Sequence, residues 1–413
     1  MLVLVALVMV VLLAMIGLAI DTGLLFIHRR QVQAAADAAA RAALVHLYPA
    51  ARNETKAQQV ALDYAGQNGL THNGDDITVA VSIPPQAGPR AGDPDYVEVT
   101  VTRRFPTVFL TIISHDWAEV SARAVAGVQP EASDIAFLAL SPTACYAVRL
   151  SADAQLTVNG GRFVVNSSCS EALRVDNTAA LTASSIEVVG GYRKDSGATI
   201  SPTPQTGADA VPDPLQNLAA PAFAGLTVRS GSATNPRTLE LSSGTTTLSP
   251  GIYYGGLRIQ GTATVTFQPG TYILAGGGLE VRDTATVTGN GVFLYNTRDP
   301  ASPSGDGAFR RIKMDVESPG KVALSAPTSG DYAGVVIFQD RANTERFEIE
   351  GALNTLAGTI YLPSATAEAR VEGGAHTAQI IARQFEMTAS DSTLTVNFDG
   401  SQAYKQPQGS FSE

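Results

Sequence analysis

At 413 residues the chain has room for two or three domains, yet only 16% of it is charged and its net charge is −10. Nucleic-acid binding needs clustered Lys and Arg against phosphates, and no such cluster exists, so nucleic acid is excluded as a partner. Gly, Thr, Ser and Ala are abundant while Lys and Glu thin out after residue 130, a balance that suits strands joined by many turns.

Leu2 to Ile20 is an unbroken apolar run in which 13 of 19 residues are Leu, Val or Ile. As a helix it spans roughly 28 Å, close to the hydrocarbon thickness of a bilayer. A cleaved signal peptide would carry a basic flank, a shorter apolar core and a small-residue cleavage site. Here Asp21, His28, Arg29 and Arg30 lead instead into a segment with eight alanines between Gln31 and Leu44, and no Gly or Pro intervenes before Pro49. Alanine is the strongest helix former, so one long helix, half in lipid and half outside, is expected over residues 1–50. Arg29 and Arg30 alone would hold their flank on the cytoplasmic side. The cysteines and the domains beyond argue the other way, for a single-pass inner-membrane anchor with an exported body, periplasmic or extracellular.

This junction resembles the N-terminal segment of the TadG-like and TadE-like proteins of bacterial Tad (Flp-type) pilus systems. The residues that carry the resemblance are Gly17, Ala19, Asp21 and Gly23, the pair Arg29–Arg30, then Gln33, Ala35, Ala36, Asp37, Ala38, Ala39, Ala40, Ala42 and Ala43. They cover about the first 45 residues. A prepilin-peptidase pattern does not precede the run, so the resemblance implies a membrane-held assembly or minor component, not a processed major pilin. Other proteins of the pilus system and membrane lipid are the partners it implies. The small face formed by Ala35, Ala36, Ala39 and Ala43 is expected to pack closely against a partner helix in or near the membrane.

Residues 51–130 read as a small α+β unit. Asn53 is a suitable N-cap and Gly69 a suitable stop for one helix. Ile77–Ile83, Tyr96–Arg103 and Trp117–Val128 alternate apolar and polar residues, the period of half-buried strands, with a short helix expected over Pro106–Ser114. His72, Asp75 and Asp76 do not make a metal site, because the two carboxylates point to opposite sides of an extended chain and Asn73-Gly74 reads as a turn.

Residues 131–400 repeat. Leu257-Arg-Ile259 returns as Leu279-Glu-Val281, and Thr262-Ala-Thr-Val-Thr266 returns as Thr284-Ala-Thr-Val-Thr288, each 22 residues on. Leu239-Glu-Leu241 precedes Leu257 by 18, Pro250-Gly-Ile-Tyr253 parallels Pro269-Gly-Thr-Tyr272, and Gly270–Leu274 parallels Gly291–Tyr295. Fainter copies start at Gly334, Gly358 and Leu394. Such a period with Gly-rich corners predicts a right-handed parallel β-helix, whose coils bury their inward faces only by stacking. A β-sandwich would not require this offset, and a leucine-rich repeat needs Asn ladders that are absent. Ala263, Val265 and Phe267 should point inward and Thr262, Thr264 and Thr266 outward. Ser201–Asp213 and Thr297–Gly307 read as projecting loops, and residues 401–413 as a polar tail. The body also resembles the repeats that follow TadG-like N-termini. After Asp134–Leu140 the chain has Ser141-Pro-Thr in place of the metal motif of a von Willebrand A-type domain, so adhesion of that kind is not implied.

Cys145 and Cys169 are the only cysteines. An even count in an exported domain suggests a disulfide, here about one coil apart near the start of the repeats, where it would staple the cap. No cofactor or metal is expected. Glu240, Arg258 and Glu280 should share an outward row with Asp283 nearby, which suits a solvated charged face better than the paired carboxylates of a glycosidase. The expected function is therefore non-enzymatic. Outward Thr-x-Thr rows make carbohydrate the second candidate partner, as in a surface adhesin; a polysaccharide-active enzyme is the remaining alternative.

Overall fold

The computed structural model describes residues 2–47, 52–113, 116–317, 320–351, 354–371, 374–376 and 378–412. The chain divides into two compact units, residues 1–131 with 407–413, and residues 132–406.

In the first unit, helix α1 (Leu2–Leu44) is continuous over 43 residues. Pro49 lies outside the described residues. Helix α2 (Glu54–Gln67) begins where the Asn53 side chain accepts the backbone N–H of Lys56 at 2.9 Å, which satisfies one of the free donors at a helix start. Strands β1 (Ile77–Ser82), β2 (Tyr96–Pro106) and β3 (Trp117–Ala132) form an antiparallel sheet. Val97, Val99 and Val101 of β2 and Ala122, Ala124 and Ala126 of β3 are buried in one core with both helices. Instead of a polar tail, Lys405–Ser412 is a strand beside β3. It supplies hydrogen-bond partners to a sheet edge otherwise left open, a long-range need that its own composition does not reveal.

The second unit is almost wholly short strands in parallel register, most of them paired with the third strand after them. Three ladders result. The second contains Leu239–Leu241, Leu257–Ile259, Leu279–Asp283, Ile312–Val316 and Phe347–Gly351. The third contains Thr245–Leu248, Thr264–Phe267, Thr286–Gly289 and Lys321–Ser325. There Ala263, Val265 and Phe267 are buried while Thr262, Thr264 and Thr266 are exposed, as the alternation predicts.

The first ladder gives the order of the stack. It runs from Val228–Ser230 through Gly251–Tyr254, Gly270–Ala275, Val292–Thr297, Val335–Gln339, Asn354–Val371 and Ala378–Met387. It then continues not onward in the sequence but back to Ile135–Ala139, with Ile380 opposite Phe137 and Ala382 opposite Ala139. Arg162–Val165, Ile186–Val188 and Gln205–Thr206 complete it. The unit is thus permuted: its first strand lies inside the stack beside a strand from near its end, and residues 207–227 carry the chain from one end to the other.

That return segment corrects the expectation of a projecting loop at Ser201–Asp213. Thr199–Ser201 and Gln205–Thr206 are strands. Beyond them, Val211, Leu215, Leu218, Phe223 and Leu226 pack on the outer side of the first ladder, against residues including Leu138, Val164, Ile252, Phe293, Phe338 and Tyr361. Thr297–Gly307 does project: residues 300, 301 and 303–306 are exposed, and the loop is closed at its base by the buried Asp299, whose N–H reaches the Gly307 carbonyl at 2.8 Å.

Register also refines two repeats. Gly251 pairs with Tyr272 rather than aligning Tyr253 with Tyr272, and Gly270 pairs with Val292. The Pro-Gly-x-Tyr likeness is local: Tyr253 donates to the Ser249 carbonyl and Tyr272 to the Gln268 carbonyl, each at 2.7 Å and four residues upstream.

Candidate functional site

Three places concentrate side chains that do more than fill the core. Along α1, Ala35, Ala36, Ala39 and Ala43 have no exposed surface and share a core cluster with Ala57, Ala61 and Ala65 of α2 and with the sheet valines. The small face predicted for a partner helix is therefore taken up within the unit, because methyl-sized side chains let α1 approach both α2 and the sheet. Nearer the chain start, Asp21 is only 5% exposed despite lying among lipophilic residues. Its carboxylate accepts the backbone N–H groups of Val108 and Phe109 at 2.9 Å each and of Leu110 at 2.7 Å, capping a 3-10 turn at Leu110–Ile113. One helical turn away, Gly17 faces Phe109 so closely that a Cβ would stand 2.7 Å from its ring. Gly17 and Asp21 thus form a seat for the β2–β3 turn. Sequence reasoning used both residues only as a family pattern; an acidic residue four positions from a glycine within an apolar helix was the signal. Nothing lies within 4 Å of where a Cβ of Gly23 would stand, and the structure offers no reason for that glycine.

The second place is the outward row of the second ladder. Glu240, Arg258 and Glu280 do share it, with Arg258 2.5 Å from Glu240 and 2.8 Å from Glu280. Asp283 turns aside to accept the Gly261 N–H at 2.8 Å. The row continues through Lys313, Glu348, Glu368, Glu386, Arg149, Arg174 and Arg193. Its carboxylates hold cations: Glu348 meets Arg311 at 2.8 Å, Glu368 meets Arg346 at 2.7 Å and also Arg370, and Glu386 meets Arg346 at 3.1 Å. On the basic stretch, the paired carboxylates push the Arg174 guanidinium above its ordinary range, chiefly through Asp176. Exposed cross-strand ion pairs of this kind contribute modestly to stability. Among the described residues no three His, Cys, Asp or Glu side chains gather as metal ligands would.

The third place is the outer face of the third ladder, where Thr245, Thr264 and Thr286 align in one row and Thr247, Thr266 and Thr288 in the next. The Thr266 and Thr288 hydroxyls are 3.4 Å apart. Lys321 and Ala323 end the two rows.

Cys145 and Cys169 are disulfide-bonded, with Cα atoms 5.2 Å apart. They do not staple the cap. The adjoining strand Val148–Leu150 has Ala378–Met387 on one side and Leu173–Val175 on the other, so the bond lies inside the stack. Position in the sequence does not give position in a permuted stack.

Residues 1–61 match the family described as "Putative Flp pilus-assembly TadE/G-like". No curated protein and no solved structure matches the chain.

Proposed function

We propose that the chain is a non-enzymatic, membrane-anchored component of a Tad/Flp-type pilus-assembly or tight-adherence system. The observation that carries this reading is the TadE/G-like match over residues 1–61, on a helix whose apolar side chains from Leu4 to Ile20 stand mostly exposed. Exposed Leu, Val and Ile along so long a helix are stable in lipid and costly in water. The body is read as a right-handed parallel β-helix lying outside the inner membrane. Parallel pairing across crossover connections supports that handedness, because such connections are right-handed in nearly all proteins, and the Cys145–Cys169 disulfide supports an oxidising compartment. The pairing of the charged row with its own cations supports a structural role over hydrolysis.

Two measurements test this. A membrane-impermeant thiol reagent should label Cys145 and Cys169 in spheroplasts only after reduction; labelling that needs lysis but no reductant would put the body in the cytoplasm and defeat the proposal. The tagged full chain, solubilised from its own membranes, should co-purify with proteins of the pilus machinery, and repeated isolation without them would count against an assembly role. The aligned threonines favour a second reading, an adhesin that binds polysaccharide directly. Thr264→Lys with Thr266→Lys should then abolish adherence while leaving the pilus complex intact, whereas an assembly component tolerates both changes.

A further inference from the structure

We infer that the turn between β2 and β3 is a second membrane contact, which enters the boundary between acyl chains and headgroups beside α1. The inference rests on the reading of α1 as a membrane span. Four large apolar side chains within ten residues, Val108, Phe109, Ile112 and Trp117, are exposed, Ile112 at 79%. Elsewhere outside α1, the exposed large apolar residues are scattered singly among the described residues, which is ordinary for a soluble surface. This patch is continuous with the exposed apolar surface of α1, because Phe109 lies against Gly17 and the turn is bound to Asp21.

Depth follows from helix geometry. The apolar exposure of α1 continues past Asp21 through Phe26 and Ile27, and Arg29 and Arg30 are the next exposed charges. Arg29 is eight positions beyond Asp21, about 12 Å along a helix. With the arginines at the headgroups, where basic side chains settle, the turn sits below them.

Backbone in that zone needs internal acceptors, since lipid offers none. The turn has them. Asp21 takes three N–H groups, Asp116 O takes that of Thr107 at 3.0 Å, and Phe109 O takes that of Ile112 at 3.1 Å. The arrangement works in both directions, because the turn also shields from lipid a carboxylate that would be expensive in the span. Arg104 lies over the Trp117 ring, 4.9 Å from its centre, the pairing of an amphipathic ring and a cation that suits the membrane–water boundary. The bilayer is the partner that fits both the apolar tip and this rim.

Trp117 is the only tryptophan of the chain, which makes the test direct. The full chain in phosphatidylcholine vesicles, with and without brominated acyl chains, should show Trp117 fluorescence quenched about twofold by bromine and scarcely by aqueous iodide. Strong iodide quenching with no bromine quenching would overturn the inference. A Trp117→Phe chain carrying Leu13→Trp reports the span separately. If Leu13→Trp is bromine-quenched while Trp117 is not, the second contact fails and the anchor stands; if neither is quenched, both readings fall.

Discussion

Gly17 and Asp21 act as a pair, one by absence of a side chain and the other by three hydrogen bonds. Gly17→Leu places atoms where Phe109 stands, an overpacking that costs about 1–3 kcal/mol or displaces the turn. We expect faster amide exchange at Val108–Leu110 and new protease cleavage in the turn, with the ladders unchanged; a variant with native exchange there would contradict the seat. The tyrosines of the body give a second residue-scale prediction. Burial pushes the Tyr253 and Tyr332 hydroxyls up to about 12. Burial also raises Tyr272, and raises Tyr295 and Tyr361 together with the nearby carboxylates of Asp340 and Asp213. Unfolded tyrosine titrates near 10. Between that pH and the raised folded values the folded state holds more protons, so stability is complete below about pH 10 and falls above it, by roughly 1.4 kcal/mol per pH unit per tyrosine. Thermal melts between pH 9 and 11.5 should show a steep fall in Tm setting in near pH 10. A flat profile would mean that these rings are not held as described.

Among elements, α1 is the one whose sequence carries two messages. Its first half is long and apolar enough to cross a membrane, while its alanine half fits α2 and the sheet. Ala36→Leu and Ala39→Leu add bulk where no surface is exposed, at about 1–3 kcal/mol each. The expected outcome is a lower unfolding temperature for the first unit alone, measured as an early calorimetric transition with the body's transition unmoved. Loss of partner proteins without that early transition would return the alanine face to intermolecular packing. The strands of the first ladder illustrate a signal present in the sequence and not used. Ile135–Ala139 and Val335–Gln339 are buried at every position. Unbroken apolar runs of this kind mark strands covered on both faces, and the cover here is the return segment.

For the whole molecule, that segment decides the architecture. Asn166 exchanges hydrogen bonds with the Val211 backbone at 2.7 and 2.9 Å, and Tyr361 donates to Asp213 at 2.7 Å. Arg341 donates to the carbonyls of Leu215, Gln216 and Leu218 at 2.7, 3.1 and 2.9 Å. Arg341→Ala leaves those carbonyls short of a donor and should cost roughly 1–2 kcal/mol, moderated because the side chain is exposed. The measurable consequence is binding of a hydrophobic dye at temperatures where the native body binds none, from uncovering Ile252, Phe293 and Phe338. No gain in dye binding would mean the segment is fastened elsewhere.

The sequence by itself determined the long helix, the three strands of the small unit, the roughly twenty-residue period and the inward Ala263, Val265 and Phe267. These are local or periodic properties, legible because one residue's neighbours within a turn or a repeat impose them. The disulfide partners followed from count alone. Only the tertiary structure decided that Ile380 pairs with Phe137, that the alanine face is filled from within, that Lys405–Ser412 completes a sheet edge, and that Asp21 holds a turn some 87 residues away. Each of these joins segments distant along the chain. Periodicity fixes what a strand needs beside it, but the free energy of closing a long loop grows too slowly with length to fix which strand comes to meet it.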